Sequence, residues 1–448
     1  MLAFFYTIVN FILIALQTQL KIVIYKIRFY ALDYILWQKA KYYNRRFFMK
    51  KFLSVMMALA LSLMMLTACG GDAPASSEVQ ASTEPTPTPR LYFPNPFTGE
   101  EKTVNYPDGQ RAVAIMINNI SVCRPQRGLS EASILFESKV EGGVTRFMGI
   151  FEDYTTLPDV GPVRSGRDQF LRWAMPWNAL YVHIGRSGIT QTYIDTFDYN
   201  DRDLDGNYIN LIYRDQNRLN LGYKLEHTAY TNAEYLGAAI EKGEYDMNHT
   251  YTSPVFNFVP YDLDDDGFAE LEGEKADAIT VVHSETYRTY FDFDADSHKY
   301  MMSQYNGSKH VREATIDENN GQQIGFENVL IAFADIYKYH YPGGNLDANG
   351  NDKGDPNYQC VDMEYGGIGY YFTNGKVEKI RWFKGGAPDV LRFTDWDENP
   401  LEISCGKSYI GFVDLDEYER FAYAANEEEM TEEVIDSNVT ETENETDF

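Results

Sequence analysis

Residues 124–188 decide what this chain can form, and they read RPQRGLSEASILFESKVEGGVTRFMGIFEDYTTLPDVGPVRSGRDQFLRWAMPWNALYVHIGRSG. Two β-rich runs, 133–140 and 144–151, are joined by a turn that contains two glycines. The loop 161–167 then leads into a helix-like segment and a further apolar run, 179–184. Charged side chains between apolar runs and glycine turns are typical of a pocket built on a rigid scaffold. The stretch therefore predicts a binding or catalytic pocket.

Polar side chains in this stretch are the candidates for that pocket. Two carboxylates, two arginines at the entry of a helix, a third arginine, a serine and a histidine form the set: Glu137, Glu141, Arg146, Arg164, Ser165, Arg167 and His183. A helix N-terminus with guanidinium groups favours a carboxylate or phosphate, and His183 at a strand end could bind ligand or carry a proton. We expect these residues to bind an anionic or cell-envelope ligand. The leading interpretation is that the protein binds this ligand without catalysing a reaction.

Other interpretations of the same residues stay open. A cell-wall-active hydrolase could use Glu137 or Glu141 with His183 as acid and base. Alternatively, the charged groups could form a buried ion-pair network, and the protein could be an interaction scaffold without a small-molecule site. The residue types alone do not decide whether a reaction is catalysed.

The start of the chain predicts export. A basic start at Met49 is followed by a short apolar run and by Leu66-Thr67-Ala68-Cys69, which resembles a bacterial lipobox. We therefore predict a lipoprotein signal peptide at 49–68, lipidation at Cys69, and a small, polar, proline-rich flexible tether at 69–90. Residues 1–48 are interpreted as a misassigned upstream start. The predicted location is the outer face of the cell membrane, held by the lipid.

The strongly negative net charge of the chain limits the classes of partner that it can bind. The formal net charge is −28, and without the first 68 residues, which hold nine Lys or Arg and one acid, it becomes −36. Such a field repels nucleic acid, so no nucleic-acid partner is expected.

Beyond Cys69 the chain has three cysteines, Cys123, Cys360 and Cys405, which allow at most one disulfide, with Cys360–Cys405 conceivable. The oligomeric state is left undetermined.

The pattern of runs predicts an α+β protein. Strands mixed with helices indicate a mixed α/β N-terminal domain at 91–259, and short strands with hairpin signals indicate a mainly β C-terminal domain at 273–415. Between them lies an acidic linker, 260–272, and the acidic tail, 416–448, is predicted to be disordered. Ser187 and Asn232 are the expected N-caps of two helices.

The linker offers a candidate metal site. Carboxylates at Asp262, Asp264, Asp266 and Glu270, with the carbonyl of Phe268 and a glycine at the sharp turn, are the oxygen ligands that Ca²⁺ prefers. The site lacks the final glutamate of an EF-hand, since Gly273 stands there. The segment 201–206 is a weaker copy. No other cofactor is expected, and this Ca²⁺ would be structural.

Several motifs resemble one known family. They are RPQRGLSEA, ESKVEGGVTRF, GPVRSGR and YVHIGRS in the first half, and YFDFD, YNGSKHVREA, FENVLIAF, IRWFKGGAPDVLRFTD and ISCGKSYIGFV in the second. In this combination the chain resembles the YerB-like bacterial lipoproteins, whose paired N- and C-terminal domains have no assigned function. The resemblance covers most of 91–413. It implies a lipid-anchored, two-domain surface protein, common in Gram-positive bacteria, and supplies no reaction.

Overall fold

The structure of the chain is a computed structural model that describes residues 93–261, 267–341, 355–426 and 430. Strands dominate the described part, together with four α-helices and several short 3-10 turns. The helices are α1 (Asp168–Ala174), α2 (Gly188–Thr196), α3 (Gln216–Asn220) and α4 (Ala233–Lys242). The strands are β1 (Val113–Asn118), β2 (Ile134–Lys139), β3 (Thr145–Phe151), β4 (Leu180–His183), β5 (Asp203–Asp205), β6 (Tyr213–Arg214), β7 (Ala229–Tyr230), β8 (Ala278–Val282), β9 (Arg288–Asp294), β10 (Lys299–Asn306), β11 (Val311–Ala314), β12 (Gly325–Phe326), β13 (Asn328–Ala334), β14 (Ile336–Tyr341), β15 (Asp355–Val361), β16 (Gly367–Thr373), β17 (Lys376–Phe383), β18 (Arg392–Thr394), β19 (Ser408–Asp414) and β20 (Ala422–Ala424). The predicted α+β class is confirmed.

Helix ends follow the predicted caps. The Ser187 hydroxyl accepts a hydrogen bond from the backbone N–H of Thr190 at the start of α2, and the Asn232 side chain accepts one from Tyr235 at the start of α4. Each cap satisfies a donor that the first turn of a helix leaves without an intrahelical partner. In the described part of the chain, no helix combines the length and the apolar character needed to cross a membrane.

A ten-stranded mixed sheet forms the centre, in the order β18-β17-β16-β13-β19-β2-β3-β1-β4-β5. It crosses the predicted domain boundary, because β2 from the first half pairs in parallel with β19 from the second, with Glu137 opposite Gly411. Strand β13 continues the parallel pairing on the far side of β19. The segments 91–259 and 273–415 therefore contribute to one sheet, since each supplies strands apolar enough to be buried side by side.

Side chains alternate between the two faces of this sheet. In β1, Ala114 and Met116 belong to one apolar cluster, while Val113, Ile115 and Ile117 belong to the other. Helix α1 covers the first face, where Trp173 stacks on Phe136 and Phe412 with ring centroids 5.2 Å and 4.4 Å apart. Both faces of the sheet are thus buried, which explains why β1 is a nearly continuous apolar run.

A second, six-stranded sheet covers the other face, in the order β11-β10-β9-β8-β20 with β12 beside β10. Its edge strand β20 corrects the prediction that the tail is disordered from residue 416 onward. Residues Leu415–Arg420 form a 3-10 helix, and β20 pairs antiparallel with β8. The segment is ordered because the ring of Phe421 packs against those of Phe333 and Tyr370, with centroids 5.3 Å and 5.0 Å apart. The acidic composition of the tail does not indicate this packing. Residues 427–429 and 431–448 lie outside the described part.

Candidate functional site

Glu137 lies at the centre of the molecule and not in an open pocket. It is 1% exposed, in the middle of β2. One carboxylate oxygen accepts hydrogen bonds from Asn119 at 3.0 Å and Thr145 at 2.6 Å. The other accepts from Thr289 at 2.9 Å and Tyr409 at 2.7 Å, with His283 Nε2 at 3.5 Å. Donors from both halves of the chain therefore converge on one buried carboxylate.

The electrostatics of Glu137 confirm that it is held as an anion. Burial by itself raises the pKa of this carboxyl, but the charge and hydrogen bond of His283 and the hydroxyls of Thr145 and Tyr409 outweigh burial, and the pKa falls to about 2. A carboxylate with this pKa is a poor general acid or base near neutral pH. Its geometry matches the buried-network interpretation.

Glu141 and Arg167 neutralise each other. Arg167 Nε lies 2.8 Å and 3.0 Å from the two oxygens of Glu141, and its Nη2 lies 2.8 Å from one of them. Both side chains are largely buried, at 14% and 18% exposed, and burial of Glu141 is outweighed by the charge of Arg167, so the pKa of Glu141 is lowered. This bidentate pair leaves neither group available as a free ligand contact.

Arg146 differs from the other predicted arginines. It is 7% exposed, and its Nη1 donates to the backbone carbonyl of Ser165 at 2.7 Å. Among the described residues, no carboxylate lies within 4.0 Å of its guanidinium. Burial, followed by the nearby charge of Arg167, lowers the pKa of Arg146 well below its usual value, and Glu141 only partly offsets this. The positive charge beneath Ser165 is therefore incompletely compensated.

His183 is enclosed at the end of β4. Its Nε2 lies 2.8 Å from Asp203 Oδ1 on the neighbouring strand β5, and the ring is fully buried. Arg186 completes the group, with Nη1 at 3.1 Å from Asp203 Oδ2 and 2.7 Å from Asp205 Oδ2. Asp203 and Asp205 of the acidic segment 201–206 thus bind a histidine and an arginine of this chain.

The structure therefore places the seven predicted residues in several separate groups and not in one cavity. Glu137 and His183 lie in two different buried networks, and Glu141 is paired with Arg167. Ser165 contributes a carbonyl to Arg146. Of the seven predicted residues, Arg164 lines a cleft of about 220 Å³, and the other six line neither this cleft nor a second one of about 520 Å³.

Arg164 lines a cleft of about 220 Å³, which we call the arginine cleft. A second arginine, Arg214, faces the same space, and a single carboxylate, Glu226, stands opposite, 3.5 Å from Arg164. Arg214 donates to the carbonyl of Leu225 at 2.5 Å, and among the described residues no carboxylate lies within 4.0 Å of it. Burial lowers the pKa of Arg214. The full lining is Val163, Arg164, Ile184, Arg214, Leu225 and Glu226.

The backbone places this cleft at the carboxyl ends of β1 and β4. The N–H of Arg164 donates to Met116 of β1, and its carbonyl accepts from Ile184, the residue after β4. Gly161 makes the approach possible, because a Cβ there would lie 2.8 Å from the carbonyl oxygen of Ala229. Strands β1 and β4 are parallel neighbours. In open α/β sheets, ligands bind at this edge of parallel strands.

A larger cleft, of about 520 Å³, lies between the two halves of the chain. Its lining is mostly polar and carries both signs of charge, with Glu131 and Asp294 against Lys299 and Lys407. Lys407 donates to the carbonyl of Ser130. With its charges balanced, this polar cleft gives no indication of ligand charge.

The cysteine and calcium predictions have different outcomes. Cys123, Cys360 and Cys405 are all buried and are not joined by a disulfide, which corrects the conceivable Cys360–Cys405 bridge. Cys405 lies just before β19, where its Sγ is 3.4 Å from the carbonyl of Val259, whereas Cys360 lies in β15 and pairs with Tyr337 of β14, so the two thiols belong to different sheets. Asp262, Asp264 and Asp266 lie outside the described residues, and within the described ranges no group of three or more His, Cys, Asp or Glu could hold a metal.

Sequence reasoning missed Arg214 and His283. Arg214 stands between Tyr213 and Asp215, and His283 directly follows strand β8, 146 positions after Glu137. The only available signal was chemical: an arginine in a strongly acidic chain, and a histidine at a strand end. Arg214 meets Arg164 only through the tertiary packing of the first half of the chain, and His283 meets Glu137 only because the two halves share a sheet.

Comparison with known proteins gives a consistent result. Residues 97–246 match the family described as protein of unknown function (DUF3048), N-terminal domain, and residues 279–410 match its C-terminal domain. The chain is 28% identical over 335 residues to "Putative lipoprotein YerB" of Bacillus subtilis, covering 72% of this chain and 86% of the relative. It is also similar to the crystal structure of the Bacillus subtilis YerB protein, with a TM-score of 0.57, 25% identity, and coverage of 74% of this chain and 99% of that one. The chain belongs to the DUF3048 family, with both its N-terminal and C-terminal domains present.

Proposed function

We propose that this protein is anchored by a lipid to the extracellular face of the cell membrane and binds an anionic group in the arginine cleft. The observation that carries the proposal is the charge of that cleft: two guanidinium groups, Arg164 and Arg214, face one carboxylate, Glu226. Arginine presents its donors in a planar fork that matches carboxylate and phosphate oxygens. A single negative group therefore completes the charge balance of the cleft.

The surroundings of the cleft support this proposal. The chain carries a net charge of −28, so a patch with excess positive charge is exceptional in it. Other arginines of the 124–188 stretch have close carboxylate partners: Arg127 has Asp215 at 2.7 Å, and Arg186 has Asp205 at 2.7 Å. The arginines of the cleft do not have such close carboxylate partners. Buried Arg146, which lies close enough to Arg164 for the two charges to interact, adds to the positive potential.

The hydrolase alternative receives no comparable support. A general acid and base must reach one reacting atom, yet Glu137 is enclosed by five donors and His183 is enclosed by Asp203 and its neighbours. Neither lines a described cleft. We therefore propose binding as the role of the arginine cleft, with the Glu137 and His183 networks as structural elements.

The lipid anchor is supported by sequence and by the relatives. Cys69 stands at the end of a lipobox-like motif, and the similar Bacillus subtilis protein carries the word lipoprotein in its name. The extracellular side follows from the same signal peptide. A structural Ca²⁺ at 262–270 is part of the proposal, on the strength of the spacing of its oxygen donors.

Calorimetric titration of the full chain with acetate and with inorganic phosphate tests the binding proposal. The chain carries Cys69→Ser so that no lipid or detergent is present. Arg214→Gln and Arg164→Gln should each weaken binding by about tenfold or more, because a hydrogen bond to a charged group contributes about 1.5–3 kcal/mol. Arg392→Gln, at an exposed position on β18, is the matched control and should leave binding unchanged.

The proposal is rejected if neither anion binds, or if both cleft substitutions leave the affinity unchanged. Melting temperatures of the variants guard against a trivial outcome. Arg164 and Arg214 are partly exposed, so their removal should not unfold the protein.

A further inference from the structure

The arginine cleft has an apolar side that a bare anion does not use. Val163 and Ile184 line its wall together with Leu225. Leu225 is 59% exposed at the rim. Leu221, four residues earlier in the same loop, is 76% exposed. Leu225 is therefore an apolar lining residue that is also largely exposed to solvent.

We infer that the ligand of this cleft is an anionic amphiphile, with a singly charged carboxylate or phosphodiester group at the arginines and an aliphatic chain along Val163, Ile184 and Leu225. The inference rests on the proposed anion binding and names the ligand class for the same site. Small-molecule sites combine an apolar wall with a few polar groups that fix orientation. Here the polar groups are cationic, so the oriented group is an anion.

The charge of the head group follows from the residues that face it. Arg164 and Arg214 contribute two positive charges and Glu226 one negative charge. A singly charged group leaves the cleft neutral, whereas a second negative charge would be repelled by Glu226. Among the neighbours, burial lowers the pKa of His227, which lies 3.5 Å from Glu226, so this histidine adds little positive charge at neutral pH.

The size of the cleft sets how much of the chain is enclosed. At about 220 Å³ it is smaller than most drug-sized ligand sites, which have volumes of roughly 300–1,000 Å³. It can enclose the head group and the first carbons, and the remaining carbons then pass the exposed side chain of Leu225. Affinity should therefore rise with chain length at first and level off when the added carbons are in solvent.

The test is a titration of the full chain, carrying Cys69→Ser, with acetate, butanoate, hexanoate and octanoate. All four are singly charged and differ only in length. Each methylene that becomes buried should raise the affinity about fourfold. Leu225→Ser should flatten this dependence on chain length, and Val390→Ser, at an exposed position outside the cleft lining, should leave the dependence unchanged.

The outcomes separate this inference from the proposed function. If acetate binds and octanoate binds no tighter, the amphiphile inference is wrong and anion binding stands. If no member of the series binds, both fail. Vesicles with and without phosphatidylglycerol distinguish the source: binding to octanoate and to anionic vesicles, both lost in Arg214→Gln, indicates a lipid head group, and binding to octanoate alone indicates a free amphiphile. A length dependence that persists in Leu225→Ser would also overturn the inference.

Discussion

Replacing Glu137 by glutamine should destabilise the protein by about 3 kcal/mol at pH 7. A pKa lowered to about 2 from the ordinary 4.5 corresponds to roughly that free energy, at 1.36 kcal/mol for each pKa unit. The side chain is fully buried, so solvent screening does not reduce the figure much. Glutamine has nearly the same shape, but its amide NH₂ would face donors such as Thr145, Asn119, Thr289 or Tyr409 in place of an acceptor.

The pH dependence follows from the direction of the shift. The folded pKa is below the unfolded one, so the stabilisation by Glu137 is complete above about pH 4.5 and is lost as the pH falls toward 2. The difference in unfolding free energy between the wild type and Glu137→Gln should therefore be constant from pH 7 to 5. It should shrink between pH 4.5 and 2.

Urea unfolding followed by tryptophan fluorescence at pH 7, 5, 4 and 3 measures this difference. Glu152→Gln is a useful control, because burial raises the pKa of Glu152. A raised carboxyl pKa disfavours the folded state at neutral pH, so this variant should lose less stability at pH 7, and its loss should grow toward acid pH. A cost below 1 kcal/mol for Glu137→Gln at pH 7, or a cost that stays the same at pH 3, would refute the reasoning.

Further predictions concern the loop at Lys384, the anchor and the linker. Lys384 donates to the carbonyls of Gly386, Ala387 and Asp389 at 2.9, 2.8 and 2.5 Å. Because Lys384→Met would leave these acceptors unpaired, it should lower the free energy of unfolding in urea by about 3 kcal/mol. An unchanged urea midpoint would contradict this. Cys69→Ser should move the protein from the membrane fraction to the medium in cell fractionation, and continued membrane retention would exclude Cys69 as the anchor. Millimolar Ca²⁺ should raise the melting temperature by about 3 °C relative to chelator, and Asp264→Asn should abolish the rise; a melting temperature insensitive to chelator would remove the calcium site.

Part of the candidate site could be predicted because the signal is local. Arg164 was found from its place in a glycine-rich loop before a helix, and the cleft does form where that loop meets the ends of β1 and β4. The partners of each charge could not be predicted. Glu141 neutralises Arg167 across 26 positions, and Asp203 binds His183 across 20, and nothing in the spacing indicates these contacts. An arginine in sequence is a candidate ligand contact until its carboxylate partner is known.

Strands and helix starts were determined locally. Apolar alternation predicted β16 and β17, and Asn374-Gly375 predicted their two-residue turn, in which both residues have positive φ. Asn232 predicted the start of α4. Strand β20 was missed because its short Ala-Tyr-Ala run lies in an acidic segment.

The amino-acid sequence by itself predicted an export signal, and it determined the acidic charge, the α+β class and most elements, because each depends on composition or on neighbours within a few residues. Only the tertiary structure decided that β2 and β19, more than 270 positions apart, lie side by side, and that Glu137 is consequently a buried anion between the two halves. It also decided which arginines keep an uncompensated charge. Pairing over such distances depends on the packing of the whole chain, and local patterns carry no information about it.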